Sequence, residues 1–377
     1  MRIAMRTALP FVLLLLLPSL AVAASVPRCE PGDVALNAAT LAKIDAAVEQ
    51  ALAEKLLDGC VVCVGRHGKI AFLKAYGDKK ADTIFDLASV TKPVATATAI
   101  MLLAQQGKLK IDDPVAKYLH EFDTPEKRAI TIRHLLTHVG GIAAGPGGDR
   151  SDPKEYRERL LNMKPNSQPG EKYVYSCASF IMLGEIVERV SGQNLNEFTQ
   201  EHVFQPLGMN DTCFVPNEEL SCRAAAVPFP DSSRKAGQVN DFQAFALGGI
   251  AGNAGLFSTA SDLAVFATMM LNQGESLDGK RILDRNTVKE MTSPNPIPDG
   301  FRGLGWSMQV GGERPDVHRP KNMSPAAYGH GGWTGNAFWI DPQYDLFTIF
   351  LSNKPNRVVY PLAATVGGIA VEAVMPR

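Results

Sequence analysis

The sequence lacks an excess of either charge. Its 377 residues carry 38 Lys and Arg against 39 Asp and Glu, a formal charge of −1. No basic stripe runs along it, so nucleic acid is not an expected partner. Histidine is scarce, seven in all, and none is spaced to complete a metal site. His134 and His138 stand four apart, but the acidic residue that a helical zinc pair needs is missing. Internal repeats and low-complexity tracts are absent. After residue 24 no apolar run is long enough to span a bilayer. What is left is a globular chain of ordinary composition, large enough to bury a sizeable core.

What is present begins with a leader. Arg2 and Arg6 precede an apolar segment, Phe11 to Val22, and Ala21-Val22-Ala23 offers a small-residue cleavage site. Residues 1–24 are therefore expected to be a signal peptide, with an uncleaved anchor as the alternative. Without those two arginines the chain carries 36 basic against 39 acidic residues. The expectation is a protein exported to the periplasm or secreted, with no stable membrane insertion once the leader is gone. Six cysteines in an exported chain raise the question of disulfides. Cys213 and Cys222 bracket a short polar loop and are the first candidate bridge. Cys60 and Cys63 sit at odd spacing in a strand-like run and face opposite ways, so they are not expected to pair with each other, and Cys29 could reach one of them.

The most informative stretch is Phe85-Asp86-Leu87-Ala88-Ser89-Val90-Thr91-Lys92-Pro93, which leads into an uncharged apolar run from Val94 to Gln106. That run reads as a buried helix, and Pro93 is tolerated only in a first turn, which puts the helix start near Ser89. Ser89 and Lys92 then share one helical face. A hydroxyl beside an amine at the positive end of a helix is a workable nucleophile pair. The four-letter pattern alone is weak: Ser151-x-x-Lys154 and Ser232-x-x-Lys235 match it too.

Around it, Leu36 to Leu57 has apolar residues at helical spacing, and Cys60–Gly65 and Lys69–Tyr76 are strands joined by a His67-Gly68 turn. Helices are expected over 154–163, 180–191, 195–204, 261–271 and 284–291. Gly305 to Val310, Ala337 to Asp341 and Leu346 to Ser352 read as strands, and Val358 to Val374 as a last helix. Strands lie early and late with helices between. The expected fold is α/β (α+β), one antiparallel sheet built from both chain ends with flanking helices and an inserted, mainly helical domain. The sheet part would take about residues 36–90 and 300–377, the helical part about 91–299.

Two further motifs complete the picture. Tyr175 lies in Pro169-Gly170-Glu171-Lys172-Tyr173-Val174-Tyr175-Ser176-Cys177, and His330 in Tyr328-Gly329-His330-Gly331-Gly332-Trp333-Thr334-Gly335. With Ser89-x-x-Lys92 and its flanks, they resemble the serine β-lactamase and penicillin-binding-protein superfamily. The branch most similar is that of class C β-lactamases, with its esterases and D-amino-acid peptidases. The likeness runs from about residue 60 to 355.

The resemblance implies an acyl-enzyme on Ser89, with Lys92 and Tyr175 sharing the proton work. It implies an oxyanion hole from the backbone amides of Ser89 and Trp333, and substrate contacts from Cys177, His330, Gly331 and Gly332. It calls for no cofactor and no metal. The nearby ammonium is expected to favour the Tyr175 phenolate. Cys177 stands where the family often has Asn, and His330 where β-lactamases have Lys; both departures weaken the expected grip on a substrate carboxylate. The expected function is therefore hydrolysis of small ester or amide substrates, esterase-like or β-lactamase-like. A D-alanyl-D-alanine carboxypeptidase is the alternative, and a non-catalytic binding module that keeps the fold is the alternative of another class. Oligomeric state and natural substrate are not readable from the sequence.

Overall fold

The computed structural model describes residues 25–228, 235–298, 300–308, 319–355 and 358–375. The leader lies outside the described residues.

Among the described residues ten strands run in chain order: β1 (Gly59–Arg66), β2 (Lys69–Gly77), β3 (Phe85–Asp86), β4 (Cys213–Phe214), β5 (Leu256–Ser258), β6 (Asn295–Ile297), β7 (Gly300–Arg302), β8 (Tyr328–Gly332), β9 (Asn336–Asp341) and β10 (Leu346–Ser352). Five of them form the main sheet in the order β2-β1-β10-β9-β8, with antiparallel neighbours throughout. Both chain ends thus contribute to one sheet, as the early and late strand patterns predict. The β1–β2 turn has His67 at φ 51° and Gly68 at φ 69°, the left-handed pair that a two-residue hairpin requires.

Both faces of this sheet are covered. Along β1, Cys60, Val62 and Val64 pack with Ile44, Val48 and Val366 from the terminal helices Lys43–Ala53 and Val359–Glu372. Val61 and Cys63 point the other way, into the larger core with the helices that follow residue 91. The period of two along the strand is what sends alternate residues to opposite layers. A second, three-stranded sheet, β3-β5-β4, carries the segment that ends at Ser89.

Several expectations need correction. All six cysteines are free thiols. Cys29 runs beside Ile70 on the outer edge of β2, so β2 separates it from β1, which carries Cys60 and Cys63. Two strand spacings are about 10 Å, beyond the reach of about 7 Å between bridged Cα atoms. Cys213 sits on β4, whereas the chain after Cys222 pairs at Ala224 with Ile84, next to β3 at the far side of the small sheet. The helix expected over 36–57 is split into Ala38–Leu41 and Lys43–Ala53. Gly305 to Val310 is not a strand in its described part. Gly305 turns at φ 83° against Ala97, and only Ser307 makes single bridges, to Arg302 and Gly329; residues 309 and 310 lie outside the described residues.

Candidate active site

Ser89 sits in a tight turn, Ala88–Val90, followed by a π-helical stretch, Lys92–Ala97, and an α-helix, Thr98–Gln105. The sequence predicts an uninterrupted helix here. The wider turn follows from Pro93, which has no amide to give, and from the Thr98 hydroxyl, which donates to the Pro93 carbonyl at 2.9 Å. Ala88, just before the serine, is held at φ 47°, an uncommon conformation for a residue with a Cβ. Its amide donates to the Asp86 carboxylate at 2.9 Å, which fixes the bend.

Asp86 also joins this segment to the third motif. Its carbonyl accepts from the Thr334 hydroxyl at 2.7 Å and the Asn336 amide at 2.8 Å, both in the β8–β9 hairpin. Burial pushes the Asp86 carboxyl up to about 6, while the amides of Asn240 and Ala88 pull the other way. Gly332 is equally constrained: a Cβ there would lie 2.6 Å from the Leu87 carbonyl oxygen. Only glycine lets β8 come this close to the Ser89 turn.

Lys92 is fully buried. Its ammonium donates to Ser89 Oγ at 2.9 Å, to the Asn253 carbonyl at 2.9 Å and to Cys177 Sγ at 3.6 Å. Three protons meet three acceptors, so the charge is held without a carboxylate partner. Tyr175 closes the group. Its ring centroid is 5.0 Å from the ammonium, and Lys92 and Ser89 are both near enough to its hydroxyl to favour the ionised form. The three residues read from separate motifs therefore converge on one point.

Their ionisation differs from the expectation. For Lys92 burial is the largest effect and opposes the charge, but Cys177 and Tyr175 together outweigh it and raise its pKa. For Tyr175 burial also dominates and lifts the phenol above its ordinary value, against the pull of the Lys92 cation. Tyr175 as a whole is 38% exposed, yet its ring lies beside the buried Lys92 ammonium. At rest the pair is an ammonium and a neutral phenol, not a phenolate.

Cys177 begins the helix Cys177–Ser191 and directs its thiol at Lys92. His330 is buried on β8, with Nδ1 2.7 Å from the Gly331 carbonyl and its ring 6.1 Å from that of Tyr175. Trp333 is 53% exposed at the rim. Ser89, Tyr175, His330, Gly331 and Trp333 share the lining of one cleft of about 260 Å³.

Other contributors escaped the sequence reading. The Asn253 carbonyl is a backbone group, invisible in any motif. His138 packs behind Tyr175 with ring centroids 4.5 Å apart, and its Nδ1 accepts from the Ser176 amide at 3.0 Å. Burial, then Arg302 and Lys92, hold its pKa well below the ordinary histidine value, so the imidazole is neutral. His134 serves elsewhere, with Nδ1 accepting the Thr131 amide at a helix start. Arg302 and Tyr173 line the cleft too, and neither was singled out beforehand.

The profile of the Beta-lactamase family matches residues 44–369. The chain belongs to that family. A curated protein of Escherichia coli O157:H7 named "Putative D-alanyl-D-alanine carboxypeptidase" is 35% identical over 348 residues, 80% of this chain and 79% of that protein. Among solved structures, a penicillin-binding-protein homologue from Caulobacter crescentus superposes with a TM-score of 0.72 at 20% identity, covering 89% of this chain and 98% of that one. A family VIII carboxylesterase does so with a TM-score of 0.68 at 22% identity, covering 90% and 98%. These structures share the fold of this Beta-lactamase family member, a mixed α/β molecule with antiparallel sheets. The chain is a serine hydrolase of the β-lactamase and penicillin-binding-protein superfamily. Among the described residues no helix is long and apolar enough to cross a membrane.

Proposed function

We propose that this protein is an exported hydrolase of small ester and amide substrates that works through an acyl-enzyme on Ser89. The observation that supports it best is the buried Lys92 ammonium, 2.9 Å from Ser89 Oγ, with the Tyr175 ring centroid 5.0 Å from the same ammonium. The active form lacks one proton from the Lys92–Tyr175 pair. That pair takes the Ser89 proton as Oγ bonds to the substrate carbonyl carbon. The carbonyl electrons move onto oxygen, where the amides of Ser89 and Trp333 stabilise the oxyanion. Collapse breaks the bond to the leaving alcohol or amine, which departs with the proton. Water then attacks the acyl-enzyme and gives a proton to the pair, which returns it to Ser89 Oγ as the bond to the acyl carbon breaks and the carboxylic acid is released.

Export rests on residues 1–24, whose charged start, apolar middle and small-residue end have the form of a signal peptide. Edman sequencing of protein expressed with its leader would begin near Ala24 if this is right.

A second reading, a D-alanyl-D-alanine carboxypeptidase, is favoured by the name of the curated relatives and by the cation of Arg302 in the cleft. A substrate panel tests both: p-nitrophenyl acetate, nitrocefin and a D-Ala-D-Ala peptide, each with Ser89→Ala alongside. Ser89-dependent turnover of the ester supports the hydrolase reading. Turnover of the peptide well above the ester supports the second. Activity that survives Ser89→Ala undiminished removes both.

A further inference from the structure

His138 is a costly residue to keep where it stands. It follows the helix Ile132–Leu136 and is only 1% exposed. Its φ is 61°, in the left-handed region that residues with a Cβ seldom adopt. Nδ1 accepts a hydrogen bond, so the proton of the neutral ring sits on Nε2, which is buried with no partner among the described residues. A left-handed backbone and an unpaired buried N–H both cost stability, and strained positions of this kind cluster at functional sites. An apolar ring would avoid the second cost. The reason for a histidine therefore lies in what Nδ1 holds.

The contacts of His138 converge on one neighbour. Its carbonyl accepts from the Val174 amide at 2.9 Å, and its Nδ1 accepts from the Ser176 amide at 3.0 Å. Those amides stand on either side of Tyr175. Between them the Tyr175 ring lies against the imidazole, with centroids 4.5 Å apart and planes inclined by 37°. Phe180, at 5.0 Å, and Tyr173, edge-on at 6.1 Å, pack around the same imidazole and restrict its movement. A protonated imidazole would donate from both nitrogens and lose the Ser176 amide. Burial, then Arg302, Lys92 and His330, disfavour that form, so the acceptor is in place at neutral pH.

We infer that His138 is the positioning residue of Tyr175: it clamps the backbone on both sides of the tyrosine and the face of its ring, so that the phenol is held for proton transfer beside Lys92 and Ser89. The inference rests on the proposed proton role of Tyr175. His138 exchanges no proton in the reaction and acts through Tyr175 alone.

Two substitutions separate the parts of the clamp. His138→Asn puts Oδ1 where Nδ1 stood and tolerates a positive φ, but removes the ring. His138→Phe keeps a ring and leaves the Ser176 amide buried without an acceptor. With p-nitrophenyl acetate, His138→Phe should lower kcat about a hundredfold, the loss that a misplacement of about 1 Å brings, with KM within about threefold of wild type. His138→Asn should recover most of that and lose about three- to tenfold. The deciding readout is a double-mutant cycle. In a Tyr175→Phe background either substitution should cost less than about twofold in kcat, because the group it positions is already gone. A full, additive loss in that background overturns the inference, as does wild-type kcat in any folded His138 variant. Thermal melts show which variants are folded at the assay temperature, and the cycle run with His138→Asn alone decides the matter if His138→Phe does not fold. Undiminished kcat in Tyr175→Phe itself overturns the proton role of Tyr175 and the inference with it. A cycle that is additive while Tyr175→Phe is crippled strikes the inference alone, so the two failures are told apart.

Discussion

The Lys92 ammonium lies 2.9 Å from the Ser89 hydroxyl oxygen and is sealed from solvent. A buried cation with no carboxylate beside it is expensive to keep unless chemistry requires it. Replacing it should therefore separate activity from stability. Lys92→Met should lower kcat by about 10²–10⁴, the usual contribution of a positioned proton carrier. Its melting temperature should hold or rise, because a methionine spares the cost of burying charge. Steady-state kinetics and a thermal melt on the same preparation check both halves.

The Lys92–Tyr175 pair sets the pH dependence. Both pKa values are raised, and in the proposed mechanism the competent form has lost one proton from the pair. That form is therefore a minor population at neutral pH and grows about tenfold per pH unit until the pair titrates. For an uncharged ester, kcat/KM should climb steadily from about pH 7 to about pH 9. A bell peaking near pH 6 to 7 would instead point to a histidine as the proton acceptor.

Close approach of β8 to the Ser89 turn depends on position 332. An alanine Cβ would sit 2.6 Å from the Leu87 carbonyl oxygen and 3.2 Å from Asn336 Cβ. Gly332→Ala should cost about 1–3 kcal/mol of stability and, by displacing Trp333 relative to Ser89, about a hundredfold in kcat. Wild-type kcat in a folded Gly332→Ala protein would contradict that arrangement of the oxyanion hole.

Cys177 stands beside Lys92, at the position where the family often has Asn. Its thiol, 3.6 Å from the ammonium, is a weak acceptor and offers a substrate carbonyl little. Cys177→Asn should raise nitrocefin turnover relative to p-nitrophenyl acetate by about five- to tenfold, the value of one added hydrogen bond. An unchanged or lower ratio would mean that the thiol is not what limits amide substrates.

Much of this was legible in the sequence, for identifiable reasons. Alternation along β1 and the His67-Gly68 turn encode a sheet and a hairpin directly. Ser89, Lys92 and Tyr175 each sit in a local pattern whose flanks carry structure of their own, so three weak motifs add up. What stayed hidden depends on distant parts of the chain. The Asn253 carbonyl has no letter in a motif. Arg302 stands among glycines and an aromatic with no spacing to mark it, and reaches the cleft only through the 302–307–329 bridges. The free cysteines follow from strand order, because β2 stands between Cys29 and β1. Nor does proximity in sequence say that burial outweighs the Lys92 cation at Tyr175.

The most direct measurement of the central claim is mass spectrometry of the folded protein after treatment with a fluorophosphonate. The account expects one adduct per chain, on the peptide containing Ser89, and none on folded Ser89→Ala. An adduct on another residue, or a folded and active wild-type protein that takes up no label, would contradict it.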